Sequence, residues 1–385
     1  MAQRHHDLTD PTTGPVTTGD ALAGYLRDQA TEFLRALRLH RETGGATSNG
    51  GSSGTAANAS EERVDAVRAL RRSARRISGS LHTFRPLLDT EWSEGIRPEL
   101  AWLSGTLALE NAYGARLERL LLALNRLSGS APKPVPAQAP GVSGTAGMGG
   151  ASGTAGMGGA SGTSTGERAP ARPTAPDRGN LTVGAAKAGA LLDRQLTLAR
   201  TRAHSTALQA LGSSRFHAVA DQVAVLASEV PLTPAAPGTD LRPLARAAEE
   251  RLSDAVTALP LVTAGSPYNA EALIHGLSPE PAPHPQDAPW HQVRLLLRLH
   301  RYACEVVHGR GTPLEVRLLA AGQALDRHRD ASEAASAAAQ AARTPRIAPA
   351  TAYALGVLHA DQRHEVEAAR YAFQRSWQKQ TIGTP

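Results

Sequence analysis

The sequence predicts an all-α protein. Long segments place aliphatic residues three and four positions apart, which is the spacing of one buried helix face. No segment alternates apolar and polar residues between turn signals, as a half-buried strand would. Proline-rich joints at 231–237 and 279–289 interrupt the helical pattern, and proline normally ends a helix. The 385 residues suffice for one large domain or two ordinary ones.

The chain begins with a segment that is not expected to fold. Residues 1–19 are polar and rich in Thr, Pro and Gly, so we predict that they are disordered. A first helix is predicted over residues 20–40, where Leu and Phe side chains share one face. Asp20 is a suitable N-cap, because its side chain can accept a hydrogen bond from a free backbone N–H of the first turn. This helix opens a predicted first helical half, residues 20–128.

The rest of the first half is predicted to contain a loop and two helical stretches. Residues 44–60 are rich in Gly and Ser and should form a flexible loop. Ser60 is expected to cap the arginine-bearing helix that follows. The stretch 96–127 has periodic leucines and should close the first bundle.

A low-complexity linker is predicted between the two halves. Residues 129–180 include two copies of Ser-Gly-Thr-Ala-Gly-Met-Gly-Gly-Ala at 143–160, a composition that cannot bury a core. The second helical half should cover 181–380. Its helices are predicted at 185–211, 215–229, 241–259, 290–307, 314–327, 332–342 and 351–380.

Two segments far apart in the chain carry a stripe of basic residues along one helix face. In residues 67–77 the side chains recur at i, i+3, i+4, i+7 and i+8, with aliphatic residues roughly opposite. This first stripe consists of Arg68, Arg71, Arg72, Arg75 and Arg76. In residues 290–302 the second stripe consists of His291, Arg294, Arg298 and Arg301.

Such stripes indicate an anionic ligand. Like charges at i,i+4 destabilise an isolated helix by about 0.2–0.5 kcal/mol per pair unless a counter-anion compensates them. Arginine forks bind phosphate oxygens two at a time, and Lys plus Arg number 41 against 35 Asp plus Glu. A solvated basic face is the plain alternative for one stripe. The second stripe favours an anion-binding site.

Other classes of protein are not favoured. The single cysteine, Cys304, excludes an internal disulfide and fits a reducing compartment. The chain has no long apolar run and no apolar segment behind its N-terminus, so we expect a cytoplasmic protein without a membrane span.

An enzyme is not expected. The sequence lacks His-Glu-x-x-His, paired cysteines and a Gly-x-x-x-x-Gly-Lys-Ser/Thr loop, so neither a metal site nor a cofactor is predicted. The basic stripes contain no carboxylates that could hold Mg²⁺ for phosphoanhydride cleavage. The run Arg363-His364-Glu365 is expected to be a solvated helix face.

The two basic segments also carry a family resemblance. Residues 67–77 and 290–302 resemble the Val-His-x-Met-Arg-x-x-x-Arg-Arg-Leu and Leu-His-x-Val-Arg-x-x-x-Lys-Arg-x-Arg-Tyr helices of CHAD domains, the conserved histidine α-helical domains. Further stretches at 83–89, 191–194, 211–216, 231–233 and 324–330 fit the same family in order. Arg68 stands where the first family motif has histidine, and Leu70 stands where it has methionine.

The resemblance implies a fold and a ligand. The fold would be two pseudo-symmetric helical bundles facing each other across a basic groove, and the ligand inorganic polyphosphate. The two stripes would contact it first. Secondary contacts are expected from Arg85, Arg194, Arg215, Arg327 and His328.

The sequence is also compatible with two alternative functions. The chain could be a helical scaffold that has lost its ligand and holds a protein partner or coats a polyphosphate or polyester granule. It could instead bind nucleic acid. That class is favoured less, because the stripes lack the interleaved aromatic residues that stack single-stranded bases.

Overall fold

A computed structural model describes residues 18–46, 53–129, 176–266, 269–270, 273, 276–277, 284–309 and 315–378. The described residues are mainly helical and form no strand, which confirms the all-α prediction. None of the described helices is both long enough and apolar enough to cross a membrane. The helices are α1 Gly19–Ala46, α2 Ser53–Thr83, α3 Thr90–Thr106, α4 Leu109–Ser128, α5 Pro176–Leu211, α6 Ser214–Ser228, α7 Arg242–Thr257, α8 Leu261–Ala264, α9 Ala288–His308, α10 Val316–Ala342 and α11 Pro349–Gln378.

The first two helices extend into the predicted flexible loop. α1 continues to Ala46 and α2 begins at Ser53, so only 47–52 of the predicted 44–60 loop lie outside the described residues. Ser60 lies inside α2, and the prediction that it caps this helix is wrong. The glycine content of residues 44–60 predicted a loop. The intrinsic helix propensity of a residue has only a small effect, however, and contacts with the rest of the protein can override it.

The other predicted segments of low complexity fall mostly outside the described part of the chain. Residues 1–17 and 130–175 are not described, and they contain nearly all of the predicted disordered start and of the predicted linker. α5 begins at Pro176, so the last residues assigned to the linker are helical.

Three predicted helix boundaries in this part of the chain differ from the structure. The stretch 96–127 is two helices, α3 and α4, because the chain turns at Leu107 and Ala108 although the leucine spacing continues. α3 starts earlier than predicted, at an N-cap where the Asp89 carboxylate accepts a hydrogen bond from the Trp92 backbone N–H at 2.8 Å. Conversely, 314–327 and 332–342 belong to the single helix α10.

The hydrophobic core does not divide where the predicted halves divide. One cluster, which includes Phe33, Phe84 and Phe216, joins α1, α2 and α3 with α6, α7 and α9. A second cluster, which includes Leu120 and Leu355, joins α4 with α5, α10 and α11. The prediction that 96–127 closes the first bundle is therefore wrong for α4.

A third cluster ties the C-terminal helices to α7. Trp290 of α9 and Phe373 of α11 are fully buried and meet edge to face, with ring centroids 5.7 Å apart. Because α9 contributes residues to the first and third clusters, its apolar side is packed along the length of the helix. The face that carries the second basic stripe belongs to neither cluster.

α2 and α9 approach each other closely near Gly79. A Cβ atom at this position would lie only 2.6 Å from Cδ2 of Tyr302 and 3.3 Å from Cδ2 of Leu299. Glycine is therefore what allows the two helices to pack this tightly, and the packing brings their arginines together.

Candidate anion-binding site

The two basic stripes meet in one cavity between α2, α9 and α10. The cavity has a volume of about 250 Å³, and we call it the basic pocket. α2 contributes Arg72, Arg75 and Arg76, whereas α9 contributes Arg294, Arg298 and Arg301. The rest of the wall is Leu297, Tyr302, Leu318, Leu319, Gly322, Gln323 and Asp326. Six predicted site residues thus line one cavity.

Glu305 holds two of these arginines. Nε of Arg76 donates to Oε2 of Glu305 at 2.8 Å, and Nη2 donates to Oε1 at 3.3 Å. Nε of Arg301 lies 3.6 Å from Oε1, and the Tyr25 hydroxyl donates to Oε2 at 2.9 Å. Burial would raise the pKa of Glu305, but its hydrogen bond and attraction to Arg76 outweigh burial and lower the pKa. Arg76 is therefore fixed by the protein itself.

Arg294 is held in a similar way. Its guanidinium lies 2.6 Å from Oδ1 of Asp326, and Asp326 is the carboxylate on the pocket wall. The Asp326 side chain is 58% exposed, so water screens this pair.

Arg75 and Arg298 differ from Arg76 and Arg294 of the same wall. Within the part of the chain that the structure describes, neither forms a hydrogen bond or an ion pair. Both are half-buried. Burial, followed by the nearby arginines, lowers the pKa of each to about 10, so both stay charged at neutral pH. Two desolvated positive charges thus lack a negative partner in the described structure.

Arg71 extends the positive field away from the pocket wall. Burial lowers its pKa first, and the charges of Arg329, Arg298 and Arg68 lower it further. Its Nε is buried and has no hydrogen-bond partner among the described residues. Arg68 is exposed and pairs with Asp65 at 2.9 Å.

His291 lies beside the pocket and is absent from its wall. Burial is the largest cause that lowers its pKa, Asp287 opposes the shift, and Arg294 adds to it. Its ring meets the ring of His328 edge to face at 5.5 Å between centroids. A bound anion would favour its charged form.

His328 does not reach the pocket. It is 1% exposed, stacks on Trp290 at 5.6 Å between ring centroids, and accepts a hydrogen bond from Nε of Arg370 at 3.3 Å. Burial and then Arg370 lower its pKa to about 3, so it is neutral. His328, which the sequence predicts to contact the ligand, is therefore buried away from the basic pocket.

His328 belongs to a buried ionic cluster around Asp287. Nη1 of Arg363 and Nη2 of Arg370 each donate to this carboxylate at 2.7 Å, and the Ser332 hydroxyl also donates to it. Arg363 is 2% exposed, so the prediction of a solvated face is wrong for that residue. The spacing of apolar residues in α11 does not predict the burial of Arg363. A charged arginine is buried only where another element supplies a carboxylate, and the sequence of one helix does not show that.

The other secondary residues also lie away from the basic pocket. Arg85 pairs with Glu94 at 3.0 Å. Arg215 pairs with Glu99 at 2.6 Å, and its Cζ lies 4.1 Å from the centroid of the Trp102 ring. Arg194 and Arg327 are exposed and absent from the wall.

Several residues of the site were not predicted. Arg329 of α10 adds charge near Arg71 and Arg75 while pairing with Asp330. The ring of Tyr302 lies 5.9 Å from Cζ of Arg76 and 5.4 Å from Cζ of Arg301. Arg329 follows directly on two predicted residues, Arg327 and His328, but the helix phase decides which of the three faces α2. Among the described residues, no cluster of His, Cys, Asp or Glu could hold a metal ion.

The structure has two features that the sequence motifs predicted. Its described residues form an all-α fold, and arginines of two distant helices line one pocket. The family model of the CHAD domain matches residues 54–339, so the chain belongs to the CHAD family. A similar solved structure is PptA from Streptomyces chartreusis, with 64% sequence identity and a TM-score of 0.70. The match covers 95% of this chain and 100% of that chain. A comparison with curated proteins gave no match.

Proposed function

We propose that the basic pocket binds inorganic polyphosphate and that the protein acts by binding, without catalysis. The observation that carries this proposal is the pair Arg75 and Arg298. Both are half-buried, both are charged at neutral pH, and neither has a partner among the described residues. A partly desolvated charge without a partner is costly, and a bound anion offsets that cost.

The residue types favour a phosphate chain. Each guanidinium offers five N–H donors in a planar fork that matches phosphate oxygens, and it keeps its charge along a repeating anion. Six arginines line the wall from two helices, which suits a ligand with several phosphates. Membership of the CHAD family, known for polyphosphate binding, supports the same ligand.

The wall supports binding without catalysis. Cleavage of a phosphoanhydride is normally assisted by Mg²⁺ held on carboxylates. Among the described wall residues the one carboxylate is Asp326, and Arg294 already pairs with it. Further carboxylates would be needed to hold Mg²⁺ beside the arginines.

Calorimetric titration with long-chain polyphosphate at low and moderate salt tests the proposal, with duplex DNA of equal phosphate content as the comparator. We expect tight binding that prefers polyphosphate and weakens with salt. By the relation known for nucleic acids, each neutralised phosphate contributes about −0.7 to −0.9 to the slope of log K against log salt.

Each other result contradicts the proposal in a recognisable way. Equal or tighter binding of DNA would favour a nucleic-acid-binding protein. No binding of polyphosphate at low salt would favour a scaffold whose arginines contact a protein partner or a granule.

A further inference from the structure

A second cavity adjoins the basic pocket at Arg75 and Arg298. It has a volume of about 260 Å³, and we call it the His82 cavity. It shares three wall residues with the basic pocket, namely Arg75, Arg298 and Tyr302. Arg75 and Arg298 therefore line both cavities.

The His82 cavity is also positively charged. Its wall adds His82 and Arg97 to the shared arginines, and no described wall residue is a carboxylate. Arg97 lies 3.0 Å from Oε1 of Glu94, but Nε of Arg85 lies 3.0 Å from the same oxygen. One carboxylate thus serves two guanidiniums, and the local charge stays positive.

The wall also carries a histidine that suits an extended anion. Ser78 and Ser104 line the cavity as well, but each hydroxyl donates to a backbone carbonyl, that of Arg97 at 3.5 Å and that of Ala101 at 3.1 Å. The surface of His82 is open to solvent. Neighbouring groups still displace part of the water around its ring, and this partial desolvation is the largest cause that lowers its pKa, followed by Arg97 and Arg251, with Glu94 opposing them. A phosphate would reverse this shift by favouring the charged imidazole.

We propose that one polyphosphate chain continues from the basic pocket past Arg75 and Arg298 into the His82 cavity, where Arg97 and His82 bind its next phosphates. This inference rests on the proposed function. Each shared guanidinium has enough donors to bind phosphates on both sides. Long chains then contact residues that short chains do not reach, and the His82 cavity makes the protein selective for long chains.

The test is a series of pyrophosphate, triphosphate, medium-chain and long-chain polyphosphate titrated into the full chain and into Arg97→Gln. We expect Arg97→Gln to weaken long-chain binding by about tenfold, the loss of one hydrogen bond to a charged group, and to leave triphosphate binding unchanged. His82→Gln should weaken long-chain binding in the same selective way.

Arg35→Gln is the matched control. Arg35 pairs with Glu32 three residues before it, as Arg97 pairs with Glu94, but it lies on α1 away from both cavities. It should leave all affinities unchanged. Thermal unfolding of each variant shows whether the fold is retained, and triphosphate binding reports an intact basic pocket.

Two results would overturn the inference. Arg97→Gln and His82→Gln could bind long chains as tightly as the unsubstituted protein, or they could lose triphosphate and long-chain affinity equally. Failure of the unsubstituted protein to bind any polyphosphate would instead contradict the proposed function.

Discussion

Arginines of one stripe have different roles because their partners differ. Arg76 is hydrogen-bonded to Glu305 and keeps a raised pKa, although burial opposes that shift. Arg75, the next residue, has no such partner among the described residues, and its pKa is lowered to about 10. The first arginine is part of the scaffold of the pocket, and the second is available to a ligand.

Replacement of Arg75 or Arg298 by Ala should reduce polyphosphate affinity by about 1.5–3 kcal/mol each, because each variant removes hydrogen bonds to a charged group. Calorimetric titration measures the loss. Arg194→Ala is the control, because Arg194 is exposed on α5 and absent from both cavity walls. Equal affinities of all three variants would show that the ligand does not occupy the pocket.

Polyphosphate binding should strengthen as the pH falls from about 7 to about 5, across the usual pKa of histidine. Burial lowers the pKa of His291 in the free protein, so its imidazole is mostly neutral at pH 7. A bound anion raises that pKa, and binding therefore takes up a proton. In His291→Gln the dependence should be shallower, as measured by titrations at constant ionic strength. An identical pH dependence of the affinity in His291→Gln would show that His291 does not contact the ligand.

At the scale of elements, the geometry of the site depends on how closely α2 and α9 pack. Gly79 has no side chain where Tyr302 and Leu299 approach, and Tyr302 is also a wall residue of both cavities. The apolar residues of α2 and α9 bury one face of each helix, and the glycine sets their separation. The packing of α2 against α9 thus sets the distance between the two stripes.

Gly79→Ala tests this packing. Alanine in a helix interior is normally favoured over glycine by about 0.8–1.0 kcal/mol, whereas overpacking costs about 1–3 kcal/mol. We expect a net loss of stability and weaker polyphosphate binding, because the helices must separate. Chemical denaturation and titration measure the two effects.

Gly95→Ala is the matched control, since a Cβ atom there meets nothing within 4 Å. It should stabilise the protein by about 0.5–1 kcal/mol. Stabilisation by both substitutions would show that the α2–α9 contact tolerates a side chain.

At the scale of the whole molecule, helices distant in the sequence share their cores and a buried ionic cluster. Asp287 precedes α9, Ser332 belongs to α10, and Arg363 and Arg370 belong to α11. This cluster anchors the beginning of α9, one turn before the second basic stripe. Burial raises the pKa of Asp287, but Arg363 outweighs burial and holds it well below its usual range.

Asp287→Asn should destabilise the protein by about 3–5 kcal/mol, because it leaves the buried Arg363 without its carboxylate and removes one of the two carboxylates that Arg370 binds. The unsubstituted protein should keep this contribution at neutral pH and lose it only in strong acid, as the pH falls through the lowered pKa of the folded state. Asp65→Asn, in an exposed pair, should change stability by no more than about 0.5 kcal/mol. Equal unfolding free energies of the two variants would contradict a structural role for the cluster.

The sequence by itself determined the helical class, the two basic stripes and the family. Those features depend on periodicity and on the order of motifs, and both are local properties of the chain. Six of the nine stripe residues do line one pocket. Helix boundaries were less predictable, because Ser60 resembles a cap and α3 and α4 share one leucine spacing.

Only the tertiary structure decided which arginines are unpartnered. Glu305 follows the second stripe in the sequence, yet it is the packing of α9 against α1 and α2 that directs it to Tyr25 and Arg76. Likewise, His328 is buried, whereas its neighbour in the chain, Arg329, adds positive charge near Arg71 and Arg75. The physical reason is that charge compensation and burial depend on side chains from other elements, and no pattern within one helix contains that information.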